Sequence, residues 1–126
     1  MRVKVETNEA PQAIGPYSQA IKANGFLFIS GQIPLDPKSG QMIAIDIVSQ
    51  TRQVMENLRA VLKAEGLTFA DVVKTTIYLT DLSDFGQINE VYGSCFESDP
   101  PARATVQVAA LPKMAKVEIE AVAALP

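Results

Sequence analysis

The stretch PPARATV, residues 100–106, carries an arginine into an extended segment behind two prolines that restrict its backbone, in a chain that has no histidine. Arg103, Thr105 and Gln107 fall on one parity of that segment and Ala104, Val106 and Val108 on the other. Near the end of the chain, KVEIEAVA places Val117, Ile119 and Ala121 on one parity and Glu118 and Glu120 on the opposite one. If these two strands are antiparallel neighbours, an arginine and a glutamate stand on the same side of one sheet. At a wet rim such a pair is a salt bridge worth about 0–1 kcal/mol. If the guanidinium is buried, it requires a carboxylate, from the protein or from a ligand, because a sequestered charge without a partner is strongly destabilising.

The absence of histidine removes Ser-His-Asp and Cys-His arrangements and most zinc sites, all of which rely on imidazole. Chemistry here must run on carboxylates, arginine, tyrosine, hydroxyls or backbone groups. No run of spaced Asp and Glu resembles a calcium loop, so no metal is expected. Tyr17, in the turn Gly15-Pro16-Tyr17, is either a packed aromatic with a wet hydroxyl or the lid of a small pocket. Ser30-Gly31 ends an apolar run with two small residues, which is either a simple turn or a place where a ligand approaches the backbone closely. Cys95, the only cysteine, lies on the apolar side of a helical pattern and reads as a buried hydrophobe rather than a nucleophile.

The elements that must position these residues follow from periodicity. RVKVE, residues 2–6, alternates as a short strand, and Asn24-Gly25 between apolar segments is a hairpin signal, because both residues tolerate positive φ. Strands are therefore expected over about 18–23 and 26–30. From Asp46 the period changes: Val54, Leu58, Val61 and Leu62 recur at helical spacing, Asp46 can cap the start and Gly66 suits the left-handed position past the end. DVVKTTIYL predicts a strand over 71–79 with Val73, Ile77 and Leu79 on one face. Ser83 or Asp84 can then cap a second helix running to about Phe96, with Phe85, Ile88, Val91, Tyr92 and Phe96 as a core stripe. ATVQVAAL and KVEIEAVA complete the chain as two strands.

The order is βββαβαββ, an α+β fold with a six-stranded mixed sheet and two helices packed on one face. Two helices cover only one side of such a sheet. Yet FLFIS is apolar on both faces and Val122 shares the parity of Glu118 and Glu120. The far face must be covered, most economically by another copy of the chain, so a homo-oligomer is expected, with Arg103 facing the covered side.

At 126 residues, with 48% apolar and 20% charged residues, residues 1–126 read as a single globular domain. Eleven basic against 14 acidic residues leave a net charge of −3, which disfavours nucleic-acid partners. A lone cysteine and a start without an apolar leader point to a reducing, cytoplasmic compartment, and no run of about 20 apolar residues suggests a membrane role.

Five stretches together resemble one family: APQAIGPYSQA, FISGQIPLDPKSG, DVVKTTIYLTDLSDF, NEVY and the segment from Pro101 to the end, in matching order and spacing over nearly the whole chain. The chain is similar to the RidA (YjgF) family. The resemblance implies a chorismate-mutase-like fold assembled as a homotrimer with clefts between subunits. It implies hydrolysis of reactive 2-imino acids, such as 2-iminopropanoate and 2-iminobutanoate derived from enamines like 2-aminoacrylate, to 2-keto acids and ammonia, without a cofactor. Residue by residue, it implies that Arg103 clamps the substrate carboxylate, that Glu118 positions and activates water, and that Tyr17, Ser30, Gly31, Asn89 and Thr105 line the cleft. Some relatives carry cysteine where this chain has Thr105, so no thiol chemistry is required. An imine carbon is already electrophilic, and its hydrolysis needs orientation, a carboxylate and a polarised nitrogen, all within reach of a histidine-free chain. A keto-acid-binding regulatory module without turnover would use the same arginine. Ribonuclease activity fits poorly with the acidic balance and the missing histidine.

Overall fold

The computed structural model of the chain describes residues 1–43 and 45–126. Strands β1 (Arg2–Val5), β2 (Ala20–Ala23) and β3 (Phe26–Gln32) precede helix α1 (Ile47–Ala64) and strand β4 (Val72–Leu79). Helix α2 (Phe85–Gly93) and strands β5 (Ala102–Gln107) and β6 (Val117–Ala124) complete the expected order. All six strands join one sheet in the order β1-β2-β3-β6-β4-β5. Every neighbouring pair is antiparallel except β4 and β5, which are parallel and connected through α2, as parallel neighbours require a crossover.

Local chemistry accounts for the elements. Asn24 and Gly25 adopt φ of 51° and 83°, the doubly left-handed turn that closes a tight hairpin between β2 and β3. Asp46 caps α1 by accepting from the Ser49 backbone N–H at 2.9 Å, and Gly66 follows the helix at φ 71°. Val54, Leu58, Val61 and Leu62 are buried, so the helical stripe read from sequence is the face laid on β3 and β6. Beneath it stand Leu27, Ile77, Leu79, Val117 and Ile119, each worth about 1.5–3 kcal/mol on burial.

Two expectations need correction. Val73 is exposed while Val72 and Thr75 are buried, because a register shift between Val72 and Lys74 against β6 flips the parity at the start of β4. Neither Ser83 nor Asp84 makes a side-chain cap for α2, which ends at Gly93 rather than Phe96. Instead Asp81 accepts from Ser83 N–H at 2.9 Å and starts a short 3₁₀ turn, Leu82–Asp84, that leads into the helix.

Both helices lie on one face of the sheet. The other face carries Phe26, Phe28 and Val106, which are 40%, 46% and 43% exposed in the single chain, together with Glu118, Glu120 and Tyr78.

Candidate functional site

In the ladder between β4 and β5, Thr75 is the direct partner of Arg103 and Ile77 that of Thr105. Thr75 and Ile77 are 2% and 0% exposed on the helix side, so Arg103 and Thr105 also face α2, not the far side. Because β5 is the sheet edge, the arginine lies beyond the core, where α2 presents Phe85, Asn89 and Tyr92 along one face at successive helical turns. Asn89 Oδ1 accepts a 2.8 Å bond from Arg103 Nη1. The guanidinium carbon lies 5.4 Å from the Phe85 ring centroid and 5.1 Å from that of Tyr92, within cation–π range. The Tyr92 hydroxyl in turn shares a 2.7 Å hydrogen bond with Thr75 Oγ1. Burial pushes the Tyr92 hydroxyl up from its ordinary value, so it stays protonated.

Among the described residues no carboxylate pairs with Arg103. The side chain is thus held in place by one amide and two rings while its remaining N–H donors are left for something else. Two residues along the same face, Thr105 is half-buried, and its hydroxyl oxygen is sequestered without a hydrogen-bond partner.

The expectation that Arg103 and Glu118 share a face is overturned. Strand β4 stands between β5 and β6, and the antiparallel register pairs Ile77 with Ile119 and Tyr78 with Glu118. Glu118 therefore projects from the far face with Tyr78, opposite to the side on which Thr75, Ile77 and Arg103 lie. Strand parity identified which residues within β5 and β6 go together; it carried no information on which strand lies between them.

On the far face, Glu118 lies against Gly31. The register of β3 against β6 shifts between Ile29 and Gln32, and the irregularity places Gly31 beside the Glu118 side chain. A Cβ built on Gly31 would overlap the Glu118 carboxylate, and Gly31 has no positive φ, so glycine is needed here for close approach rather than for backbone freedom. Burial raises the Glu118 carboxyl above the ordinary glutamate value, and the charge of Glu120 adds to the rise. The Tyr78 hydroxyl donates to Glu120 Oε1 at 3.0 Å.

Ser30 ties the preceding loop to this strand: its hydroxyl donates to Ser18 O at 2.6 Å and its N–H to Gln19 O at 2.9 Å. Gln19, 3% exposed, latches the segment further by accepting from Thr7 N–H at 2.7 Å and donating to Pro11 O at 2.7 Å. Tyr17 is thereby presented, 54% exposed, at a groove of about 730 Å³ lined with Ser30, Gly31, Phe28 and Glu120.

The chain thus presents two separate groups of these residues. Arg103, Asn89 and Thr105 lie on the helix side at the β5 edge, and Tyr17, Ser30, Gly31 and Glu118 lie on or beside the far face. Sequence reasoning assigned Phe85 and Tyr92 to the core stripe and passed over Thr75. The signal available was an asparagine set between two aromatics at Phe85, Asn89 and Tyr92, a spacing that faces all three the same way. Cys95 is half-buried against the core, with its thiol pushed up by burial, in keeping with a packing role. Among the described residues no three of Cys, Asp and Glu converge as a metal site requires, and no helix is long and apolar enough to cross a membrane.

Residues 7–125 match the family model described as Endoribonuclease L-PSP. The chain is 57% identical over 124 residues to protein DfrA of Myxococcus xanthus, covering 97% of this chain and 95% of that protein. It is 50% identical over 123 residues to the 2-iminobutanoate/2-iminopropanoate deaminase of Mus musculus, covering 98% of this chain and 91% of that protein. Among solved structures, E. coli TdcF with bound serine superposes with a TM-score of 0.93 at 45% identity, covering 98% of this chain and 99% of that one.

Proposed function

From the premise that this chain belongs to the RidA (YjgF) family, matched by the Endoribonuclease L-PSP model, we propose that it hydrolyses 2-imino acids to 2-keto acids and ammonia. The cleft is one that two copies of the chain form together within a homotrimer. The observation that carries this reading is the separation of Arg103 and Glu118 by the sheet itself. A small ligand cannot touch both in one chain. When the β5 edge of one copy meets the far face of another, an unpaired guanidinium and a carboxylate of raised pKa come to the same cleft, and the exposed Phe26, Phe28 and Val106 lose their contact with water.

In that cleft Arg103 holds the substrate carboxylate through two parallel N–H···O bonds, its plane set by Asn89, Phe85 and Tyr92. The sequestered Thr105 hydroxyl gains the partner it lacks, and Tyr17, Ser30 and the Gly31 backbone close the opposite wall. Water adds to C2 as the C=N π pair moves to nitrogen; Glu118 takes the proton that water gives up and passes it to that nitrogen, leaving a carbinolamine. The C–N bond then breaks as the hydroxyl proton passes to the departing nitrogen through the same carboxylate, and the 2-keto acid and ammonia form. The raised pKa suits a group that must accept and return a proton.

The name of the mouse relative and the serine in TdcF support a small amino-acid-derived carboxylate as ligand. The ribonuclease named in the family description would meet a chain of net charge −3 without histidine, a poor match to RNA. The test is a coupled assay in which a threonine or serine dehydratase generates the imine in situ. Faster keto-acid and ammonia release with the purified chain is expected, and its loss in Arg103→Ala. Binding of 2-oxobutanoate with no rate effect on any imine would replace the enzyme by a metabolite-binding module.

A further inference from the structure

Beneath the arginine lies a pair of hydroxyls that packing does not explain. Thr75 and Tyr92 are 2% and 4% exposed, and their oxygens, 2.7 Å apart, bond to each other. The same face of β4 continues as Ile77 and Leu79, so an apolar residue at 75 above a phenylalanine at 92 would serve the core equally well. The pair does bear on Arg103. The β4–β5 ladder fixes Thr75 directly beside Arg103, the hydrogen bond fixes the far end of the Tyr92 ring to Thr75, and that ring carries the guanidinium at 5.1 Å. Phe96 packs on the ring as well, with centroids 4.9 Å apart.

We propose that Thr75 and Tyr92 are positioning residues: their buried hydrogen bond pins the Tyr92 ring under Arg103 and so sets the plane in which the guanidinium meets a carboxylate. The proposal rests on reading Arg103 as the carboxylate clamp. A bidentate match requires the fork to lie in the plane of its ligand, and a long side chain at a sheet edge has many rotamers unless something restricts it. Asn89 holds one nitrogen only. The Phe85 and Tyr92 rings supply the remaining restraint, and without the hydroxyl bond the Tyr92 ring is held by shape alone.

Thr75→Ser, Thr75→Val, Tyr92→Phe and the double variant Thr75→Val/Tyr92→Phe separate this role from simple stability. Three readouts serve: Tm, 2-oxobutanoate affinity by calorimetry alongside KM and kcat in the coupled assay, and relaxation of the Arg103 Nε–Hε group by NMR, which needs no ligand. Each single loss leaves one hydroxyl buried without a partner and should lower Tm. It should also loosen the Arg103 side chain and weaken carboxylate affinity by roughly two- to tenfold, the loss of about one net hydrogen bond, raising KM with kcat spared. Thr75→Ser should match the wild type. The double variant leaves no orphan, so its Tm should recover while Arg103 order and affinity do not. Recovery of all three, or single variants with Arg103 as ordered as before, would reduce the pair to a structural role. If the wild type binds no 2-keto acid, the carboxylate reading of Arg103 fails, and the NMR order in the four variants still decides whether the pair pins the side chain.

Discussion

The Glu118 carboxylate occupies the space that any side chain on Gly31 would need. A methyl group there meets the end of a flexible side chain rather than backbone, so Gly31→Ala should fold with a small change in Tm. The carboxylate, however, must swing away. A displacement of about 1 Å at a reacting group costs on the order of 100-fold, so kcat should fall by about that factor in the coupled assay while 2-oxobutanoate affinity, set by Arg103, changes little.

Arg103 and Glu118 lie on opposite faces of one sheet, so defects in them should complement between chains. Arg103→Ala and Glu118→Gln are each expected to be inactive alone. Unfolded, mixed in equal amounts and refolded, they should regain roughly a quarter of the wild-type sites, the fraction in which a cyclic assembly brings an intact arginine to an intact glutamate. No recovery in a mixed oligomer confirmed by native mass spectrometry would place both residues of the working site in one chain.

Glu118 should trade stability for chemistry. Its folded pKa lies above its unfolded value, so its contribution is fully present below the ordinary carboxylate range and is lost as pH rises through the folded pKa. Glu118→Gln removes that loss: its Tm should exceed that of the wild type at neutral pH and converge with it in acid. Turnover should fall by about 100- to 10,000-fold, the range for a general base.

The acid limb of kcat/KM should report the same carboxylate. Activity is expected to rise with pH as Glu118 ionises, at a pH above the ordinary glutamate value. Because the Glu120 charge is part of the cause, Glu120→Gln should move that limb to lower pH. A limb that stays in place would detach Glu118 from the titration.

Arg103→Lys keeps the charge and loses the planar fork. With no ion pair to break within the described chain, Tm should change little, while 2-oxobutanoate binding weakens by about 1.5–3 kcal/mol, the worth of one charge-assisted hydrogen bond, measured by calorimetry.

Local signals carried the element order well. Asn24-Gly25 demanded a hairpin, Asp46 and Gly66 bracketed α1, and the parity of Val117, Ile119 and Ala121 marked the buried side of β6. These inferences succeed because caps, turns and alternation depend on interactions among residues near in sequence. The register shift at Val72–Lys74 and the approach of Gly31 to Glu118 involve strands far apart in the chain, and no local pattern encodes them.

The same distinction separates the group around Arg103 from the group around Glu118. Sequence parity grouped Arg103 with Thr105 and Glu118 with Glu120, but the face that each group takes depends on which strands pair, and pairing is settled by burial over the whole sheet. With β4 placed between β5 and β6, and parallel to the first but antiparallel to the second, arginine and glutamate point to opposite sides. The amino acids themselves determined what chemistry the chain can offer. Only the tertiary arrangement decided that Arg103 and Glu118 stand on opposite sides of one chain's sheet, because a sheet has two faces and period-two alternation cannot say which of them two distant strands will share.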